Sequence, residues 1–194
     1  MIHKIKKSSV RIKIRDVCFI AVFTAIIAVC AQLGIPAIGG VPFTLQTFAI
    51  PLAGIILGAK RGAVSAAVYV LLGVTGVPVF SGFRGGFGVV FGATGGFILT
   101  FPLFALCAGI FSDISANKNP PLRYFLVAAG VIFGAAINYL GGMLMFNIIT
   151  SRSLYEAFVV CVLPYVPLDI IKFILAGGIG VSVKKILAKN KFLT

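Results

Sequence analysis

The stretch from Phe158 to Val183 reads FVVCVLPYVPLDIIKFILAGGIGVSV and determines how the rest of the chain is interpreted. It is long and apolar enough to cross a bilayer, for which about 17–25 residues suffice. It nevertheless contains Asp169 and Lys172, and each such charge at mid-membrane costs about 2.5–3.5 kcal/mol on insertion scales. A spacing of three places both side chains on one helical face. The pair therefore predicts a site in a protein interior or wet cavity, and a structural ion pair that fixes helix packing is the alternative.

Two prolines, Pro164 and Pro167, stand directly before this pair. Proline fits the first turn of a helix and breaks an interior one, so we predict a break near 164–167 with Asp169 in the first turn of the new helix. The positive helix end then helps to keep the carboxylate ionised. Lys184 is expected at the cytoplasmic edge of the membrane, and the helix from Asp169 to Lys184 is about 22 Å long at 1.5 Å per residue. Since the hydrocarbon core is about 30 Å thick, the pair should lie in the outer half of the membrane.

The composition supports a membrane protein. Of the 194 residues, 60% are apolar and only 11% are charged, whereas soluble domains carry about 25% charged residues. The mean hydropathy is +1.13. We predict an all-α integral membrane protein with one transmembrane domain, residues 1–194, in which residues 1–16 and 184–194 are basic cytoplasmic segments. Six spans are predicted, at Val17–Gly34, Leu45–Ala59, Ala63–Val77, Phe91–Phe111, Leu122–Phe146 and Ala157–Val183.

The basic residues test this number of spans independently. With both termini in the cytoplasm, only Arg84 and Arg152 of the 17 lysines and arginines fall in outer segments, and Lys172 lies within a span. This distribution follows the positive-inside rule, which models with five or seven spans break. The same rule explains the net charge of +13, and no nucleic-acid-binding motif accompanies it. The first span is longer than the apolar run of a cleaved signal peptide, so we interpret it as a membrane helix.

Few residues are available for chemistry. The four cysteines are scattered singly through apolar segments and the only histidine is His3, so a disulfide framework or a metal centre is not expected. The chain has no P-loop for ATP hydrolysis. A membrane-embedded enzyme would need a nucleophile with a base, a metal set or paired carboxylates. The four acidic residues form no such pair in sequence, so this alternative is weak.

Seven glycines fall between Gly82 and Gly96, in the outer segment after the third span. Such a backbone makes tight turns and approaches a ligand closely, and its phenylalanines, among them Phe80 and Phe83, are too apolar for an ordinary loop. We predict a lid over a cavity, in which Arg84 offers donors to an anion such as a carboxylate. Helix packing for the glycines and a lipid phosphate for Arg84 are the alternatives.

Other polar residues lie at the starts or middles of predicted spans. Thr44, Gln46 and Thr47 either cap the second helix or reach the same cavity. Tyr69 and Asn138 lie at mid-helix, and Asn138 is the better candidate because an amide in lipid needs partners. Helix-to-helix hydrogen bonding is the alternative for it. Small-xxx-small patterns, which usually serve packing within one chain, occur at Ala21–Ala25, Gly54–Gly58 and Gly130–Gly134.

Four motifs together resemble the BioY biotin transporter family, the substrate-binding S components of energy-coupling factor transporters. They cover nearly the whole chain in the expected order, and the last is the most specific. The motifs are VPFTLQT at 41–47, GVPVF at 76–80, FGATGGF at 91–97 and PYVPLDIIK at 164–172. One departure is Ala93, where the family pattern leads us to expect proline.

The resemblance implies the six-helix S-component fold and a biotin pocket near the outer surface of a bacterial plasma membrane. It also implies a transmembrane T component and two cytoplasmic ATPases as partners, with Ala21 and Ala25 similar to the alanine motif that contacts the T component. Family pockets use the residues that correspond to Asp169 and Lys172. No cofactor is implied, since biotin is the substrate.

The chemistry of biotin agrees with this expectation. We expect Asp169 to accept from a ureido N–H, while Lys172 donates to the ureido oxygen or balances Asp169. Aromatic residues such as Phe80, Phe83 and Tyr165 would cover the bicycle, and Arg84 or main-chain amides would take the carboxylate. An S component for another vitamin, such as riboflavin or thiamine, is the other transporter reading.

Overall fold

The computed structural model describes residues 13–35 and 40–190. Most of the predicted basic segment 1–16 and the end of the tail 184–194 lie outside the described residues. Within the described ranges, the chain forms eight helices and one pair of two-residue strands. The elements are α1 (Ile14–Gln32), β1 (Gly34–Ile35), β2 (Phe43–Thr44), α2 (Gln46–Leu57), α3 (Ala59–Val74), α4 (Phe87–Val90), α5 (Gly95–Ser115), α6 (Pro120–Thr150), α7 (Leu154–Cys161) and α8 (Val166–Lys189).

The helical class is confirmed, with one small addition. Strands β1 and β2 pair antiparallel, with Gly34 opposite Thr44 and Ile35 opposite Phe43. This short ladder ties the end of α1 to the start of α2. It was not predicted, because two residues per strand leave no periodic pattern in the sequence.

The predicted last span, Ala157–Val183, is divided into two helices, α7 and α8, and the gap between them meets the predicted break near 164–167. Helix α7 begins at the N-cap Ser153, whose side chain forms a capping box with Glu156. It ends at Cys161, and α8 begins at Val166 with proline in its first turn. The amide of Asp169 already donates to the carbonyl of Tyr165 at 2.8 Å. The carboxylate therefore stands in the first turn of α8, as the prolines predicted.

Four helices, α1, α5, α6 and α8, are long and apolar enough to cross a membrane. Helix α2 has only 12 residues, and all but two of them are buried. Helix α3 has 16 residues. The short α2 packs against α1, α3, α5 and α8, so it is enclosed by protein and does not depend on contact with lipid.

Glycines allow the helices of this bundle to touch. A Cβ at Gly54 in α2 would collide with the carbonyl oxygen of Ala105 in α5, and one at Gly96 in α5 would collide with the carbonyl of Gly141 in α6. Gly134 lies equally close to the ring of Phe104. The patterns that include Gly54 and Gly134 therefore serve packing within the chain.

Asp113, in the last turn of α5, holds together one end of the helical bundle. Its Oδ2 accepts from the amide of Ala59 at 2.9 Å, and so takes up an unpaired donor at the start of α3. Its Oδ1 pairs with Nζ of Lys184 in α8 at 2.6 Å. One carboxylate thus joins α3, α5 and α8 at the end opposite the cavity described next.

Candidate functional site

A cavity of about 640 Å³, its mouth included, lies at the end of the bundle where α5 and α8 begin. Its wall comes from residues 41–44, the first turn of α2, the Phe80–Arg84 hairpin, α4, and helices α5, α6, α7 and α8. The lining residues are Val41, Pro42, Phe43, Thr44, Gln46, Thr47, Phe80, Ser81, Arg84, Val89, Thr94, Phe97, Ile98, Phe101, Asn138, Tyr139, Cys161, Tyr165, Asp169 and Lys172.

Asp169 lies in this wall and is only 2% exposed. Its Oδ1 accepts from Nζ of Lys172 and from the hydroxyl of Thr47, each at 2.8 Å. Its Oδ2 accepts from the hydroxyl of Tyr139. Since a carboxylate oxygen has two lone pairs, Oδ2 keeps capacity for one more donor from the cavity.

The ammonium group of Lys172 donates hydrogen bonds to three protein acceptors. Its Nζ donates to the carbonyl of Thr44 at 2.7 Å, to the hydroxyl of Thr47 at 3.1 Å and to Asp169. The ammonium also lies 3.6 Å from the ring centroid of Phe43, a cation–π contact. All three N–H groups are therefore directed at protein atoms, which makes Lys172 a counter-charge and a tie between α8 and the segment before α2.

Two neutral amides in the wall are held in fixed orientations. Asn138 donates from Nδ2 to the carbonyl of Phe97 at 2.9 Å and to the hydroxyl of Thr100 at 2.8 Å. Its Oδ1 accepts nothing from the described residues. Gln46 accepts at Oε1 from the hydroxyl of Thr44 at 2.9 Å and donates from Nε2 to Tyr69 at 2.8 Å. Asn138 thus offers an acceptor, and the second Nε2 hydrogen of Gln46 offers a donor.

Two predicted site residues do not line the cavity. Tyr69 is fully buried behind Gln46 and donates to the carbonyl of Val79 at 3.1 Å, so it braces the wall. Phe83 is 73% exposed and adopts a positive φ of 54° at the tip of the hairpin, which turns its side chain away. Phe80, by contrast, is 1% exposed and packs edge-on against Tyr69 in the wall.

Arg84 stands at the mouth of the cavity, where it is exposed. It pairs with Phe80 through two main-chain hydrogen bonds of 2.9 and 3.2 Å, which close the hairpin. Its Nε donates to the carbonyl of Ser81 at 3.0 Å. The terminal nitrogens of the guanidinium therefore project from a fixed backbone position beside the opening.

Tyr165 joins the start of α8 to the segment before α2. Its hydroxyl donates to the carbonyl of Val41, and its ring stacks on that of Phe43 at a centroid distance of 6.0 Å. The aromatic surface beside the charged pair therefore comes from Phe43 and Tyr165 together.

Sequence reasoning missed Tyr139 and the aromatic residues Phe97 and Phe101. Tyr139 follows the predicted Asn138, and a tyrosine hydroxyl inside an apolar helix usually needs a partner; that signal was available. Thr47 was predicted as a helix cap or a cavity residue, but its bridge between Asp169 and Lys172 depends on the fold of the chain. Phe97 and Phe101 carry no polar signal in an apolar helix.

The proposed partner-contact residues lie apart from the cavity. Ala21 and Ala25 are both exposed on one side of α1, and neither lines the cavity. Their exposure leaves the side chains open to a neighbour in the membrane, whether lipid or protein.

The family model described as the BioY family matches residues 4–189 of the chain. The chain belongs to the BioY family. It is 39% identical over 165 residues to the "Biotin transporter BioY" of Thermotoga maritima, covering 85% of this chain and 93% of that protein. It is 35% identical over 182 residues to the "Probable biotin transporter BioY" of Bacillus subtilis, covering 91% and 94%.

A solved structure shares the fold of this BioY family member. It is the S-component for biotin from an ECF-type ABC transporter, which aligns with a TM-score of 0.79 and 28% sequence identity. The alignment covers 89% of this chain and 92% of the other. The resemblance inferred from four sequence motifs is thereby confirmed, and so is the S-component-like helical bundle.

Proposed function

We propose that this chain binds biotin and serves as the substrate-specific subunit of an ECF-type transporter for biotin uptake. The observation that carries the proposal is the buried Asp169–Lys172 pair in the wall of a cavity, within a chain of the BioY family. The assignment is to a transporter subunit and not to an enzyme. Biotin acts as substrate, and the proposal invokes no cofactor.

The cavity wall offers hydrogen-bonding groups that match a ureido ring. Oδ2 of Asp169 and Oδ1 of Asn138 are the acceptors proposed for the two ureido N–H groups. The unused Nε2 hydrogen of Gln46 is the donor proposed for the ureido oxygen, with the hydroxyl of Thr44 holding that amide in place. Lys172 balances the charge of Asp169, because its three hydrogens already have protein acceptors.

The rest of biotin fits the other parts of the wall. Aromatic side chains, among them Phe43, Phe80 and Tyr165, are proposed to cover the bicycle and the apolar tail. Arg84 at the mouth is proposed to bind the carboxylate through its guanidinium. In this arrangement the glycine-rich segment acts as the lid that the sequence predicted, through the hairpin that carries Phe80 and Arg84.

We further propose one domain with six spans in a bacterial plasma membrane and both termini in the cytoplasm. Helices α1, α2, α3, α5 and α6 are five of the spans, and α7 with α8 forms the sixth. The positive-inside distribution of lysine and arginine supports this orientation. A T component and two cytoplasmic ATPases are the proposed partners, and the exposed positions of Ala21 and Ala25 on α1 suit contact with the T component.

The ligand that copurifies with the protein tests this function. Purified protein, denatured and examined by mass spectrometry, should release biotin after expression in biotin-containing medium. Riboflavin and thiamine at equal concentration should not displace labelled biotin. Release of another vitamin, with no biotin, would assign the cavity to that vitamin instead.

A further inference from the structure

Gln32 is the last residue of α1 and does not line the cavity, yet its side chain crosses to the hairpin above it. Nε2 donates to the carbonyls of Val79 and Phe80, both at 3.1 Å, and lies 3.4 Å from the carbonyl of Ala28 in its own helix. Oε1 accepts from the amide of Phe83 at 2.9 Å. One half-buried amide thus bonds both arms of the hairpin.

The tip of this hairpin has little else to hold it down. Two of its three loop residues, Gly82 and Phe83, have positive φ, and the Phe83 side chain is exposed. The other ties are at the base, where the hydroxyl of Tyr69 donates to Val79 and the amide of Gly86 donates to Gly73 at 2.6 Å. Gln32 is accordingly placed to fix the tip, and with it Phe80 and Arg84.

We propose that Gln32 is a positioning residue for substrate binding, which holds Phe80 over the cavity and Arg84 at its mouth. The inference rests on the proposed function, because it assigns a role in retaining the ligand of that same cavity. Loss of the Gln32 hydrogen bonds frees the hairpin to swing away from the mouth. The ligand then leaves faster, and its carboxylate is bound less selectively.

The end of α1 also holds the segment before α2, which covers the cavity together with the hairpin. The carbonyl of Leu33 accepts from the amide of Leu45 at 3.0 Å, and β1 pairs with β2 immediately beyond. Both the hairpin and the segment before α2 are therefore attached to one helix end. A displacement of that helix end would loosen the hairpin and the segment before α2 together. Gln32 attaches the hairpin through its side chain, whereas the segment before α2 is attached through main-chain hydrogen bonds.

Gln32→Leu tests the inference, because it keeps most of the volume and removes every side-chain hydrogen bond. In detergent, labelled biotin chased with excess unlabelled biotin should dissociate at least about tenfold faster than from wild type, because three hydrogen bonds to the hairpin are lost together. The preference for biotin over the neutral biotinamide should also fall at least about threefold, because Arg84 is no longer fixed. Val29→Ala, an exposed truncation on the same helix, should change neither quantity.

A second variant keeps the inference testable if Gln32→Leu does not fold. Gln32→Glu retains an acceptor for Phe83 but sets a carboxylate against two carbonyl oxygens, so it too should accelerate dissociation. A dissociation rate within twofold of wild type, or equal weakening of biotin and biotinamide, would overturn the positioning role. Failure of the wild-type protein to bind biotin would instead overturn the proposed function.

Discussion

At the scale of single residues, the candidate site contains a buried ion pair, and only one of its two members has hydrogen-bonding capacity left for a ligand. Lys172 directs all of its hydrogens at protein atoms, while Asp169 retains a lone pair toward the cavity. The sequence predicted the pair, because charges in an apolar helix need a partner. It could not predict this division of roles, which depends on Thr44 and Thr47 reaching α8 from another part of the chain.

Removing one member of the pair should cost far more stability than removing both. Lys172→Met leaves the carboxylate buried without its counter-charge, and we expect a loss of about 3–5 kcal/mol. The double variant Asp169→Leu, Lys172→Met should recover most of that loss, since apolar replacement of a whole buried pair is often neutral. Thermal unfolding in detergent measures both. A single variant as stable as wild type would show that the pair is not buried.

Two phenylalanines three positions apart should behave oppositely. Phe80 is buried in the cavity wall and Phe83 is exposed at the hairpin tip. Phe80→Ala should weaken biotin binding at least about tenfold, because it removes the aromatic ring proposed to cover the ligand and leaves a gap in the cavity wall. Phe83→Ala should leave the affinity within about twofold of wild type. Titration of both purified variants decides, and a larger loss at Phe83 would contradict the hairpin orientation.

At the scale of elements, the sequence predicted where α8 begins, but it did not predict that the residues before the break form a separate helix with its own N-cap. Pro164 and Pro167 indicated where a helix must restart. The separate helix α7 depends on its capping box at Ser153, a local signal that a hydropathy pattern conceals. The short α2 is stable for a reason outside its own sequence, namely its enclosure by neighbouring helices.

Gly73 in α3 should be essential to the position of the hairpin. A Cβ at this residue would collide with the ring of Phe80, whereas one at Gly88 meets nothing within 4 Å. Gly73→Ala should therefore displace Phe80, lower the melting temperature and weaken biotin binding. Gly88→Ala, the matched control in the glycine-rich segment that follows, should leave the binding of biotin unchanged. Equal effects of the two substitutions would contradict this prediction, because they would show that the Phe80 ring can move aside without loss of stability or binding.

At the scale of the whole molecule, hydropathy and charge distribution predicted the helical membrane bundle, and four motifs predicted its family. The cavity itself joins residues from 41 to 172, so its shape follows from tertiary packing that no local pattern contains. Phe83 shows the limit clearly, because an aromatic residue in a lid-like segment can point toward or away from a cavity. Its direction is known only from the folded structure, in which the Phe83 side chain is exposed and lies outside the cavity lining.

The six-span orientation predicts which surfaces a membrane-impermeant thiol reagent reaches. In a background with the four native cysteines replaced, Tyr155→Cys in the first turn of α7 should react in intact cells, because Tyr155 is exposed at the proposed outer side. Lys118→Cys, between α5 and α6, should react only after the cells are opened. Labelling of position 118 in intact cells would reverse the proposed orientation.

The most direct measurement of the central claim is a biotin titration of Asp169→Asn beside Asp113→Asn. Both carboxylates pair with a lysine, but only Asp169 lines the cavity. We predict that Asp169→Asn binds biotin at least about 100-fold more weakly than wild type, because it loses the charged acceptor proposed for a ureido N–H and leaves Lys172 in the wall without its counter-charge. Asp113→Asn should bind as wild type does. Wild-type affinity in a folded Asp169→Asn protein would contradict the assignment of this pair to the biotin site.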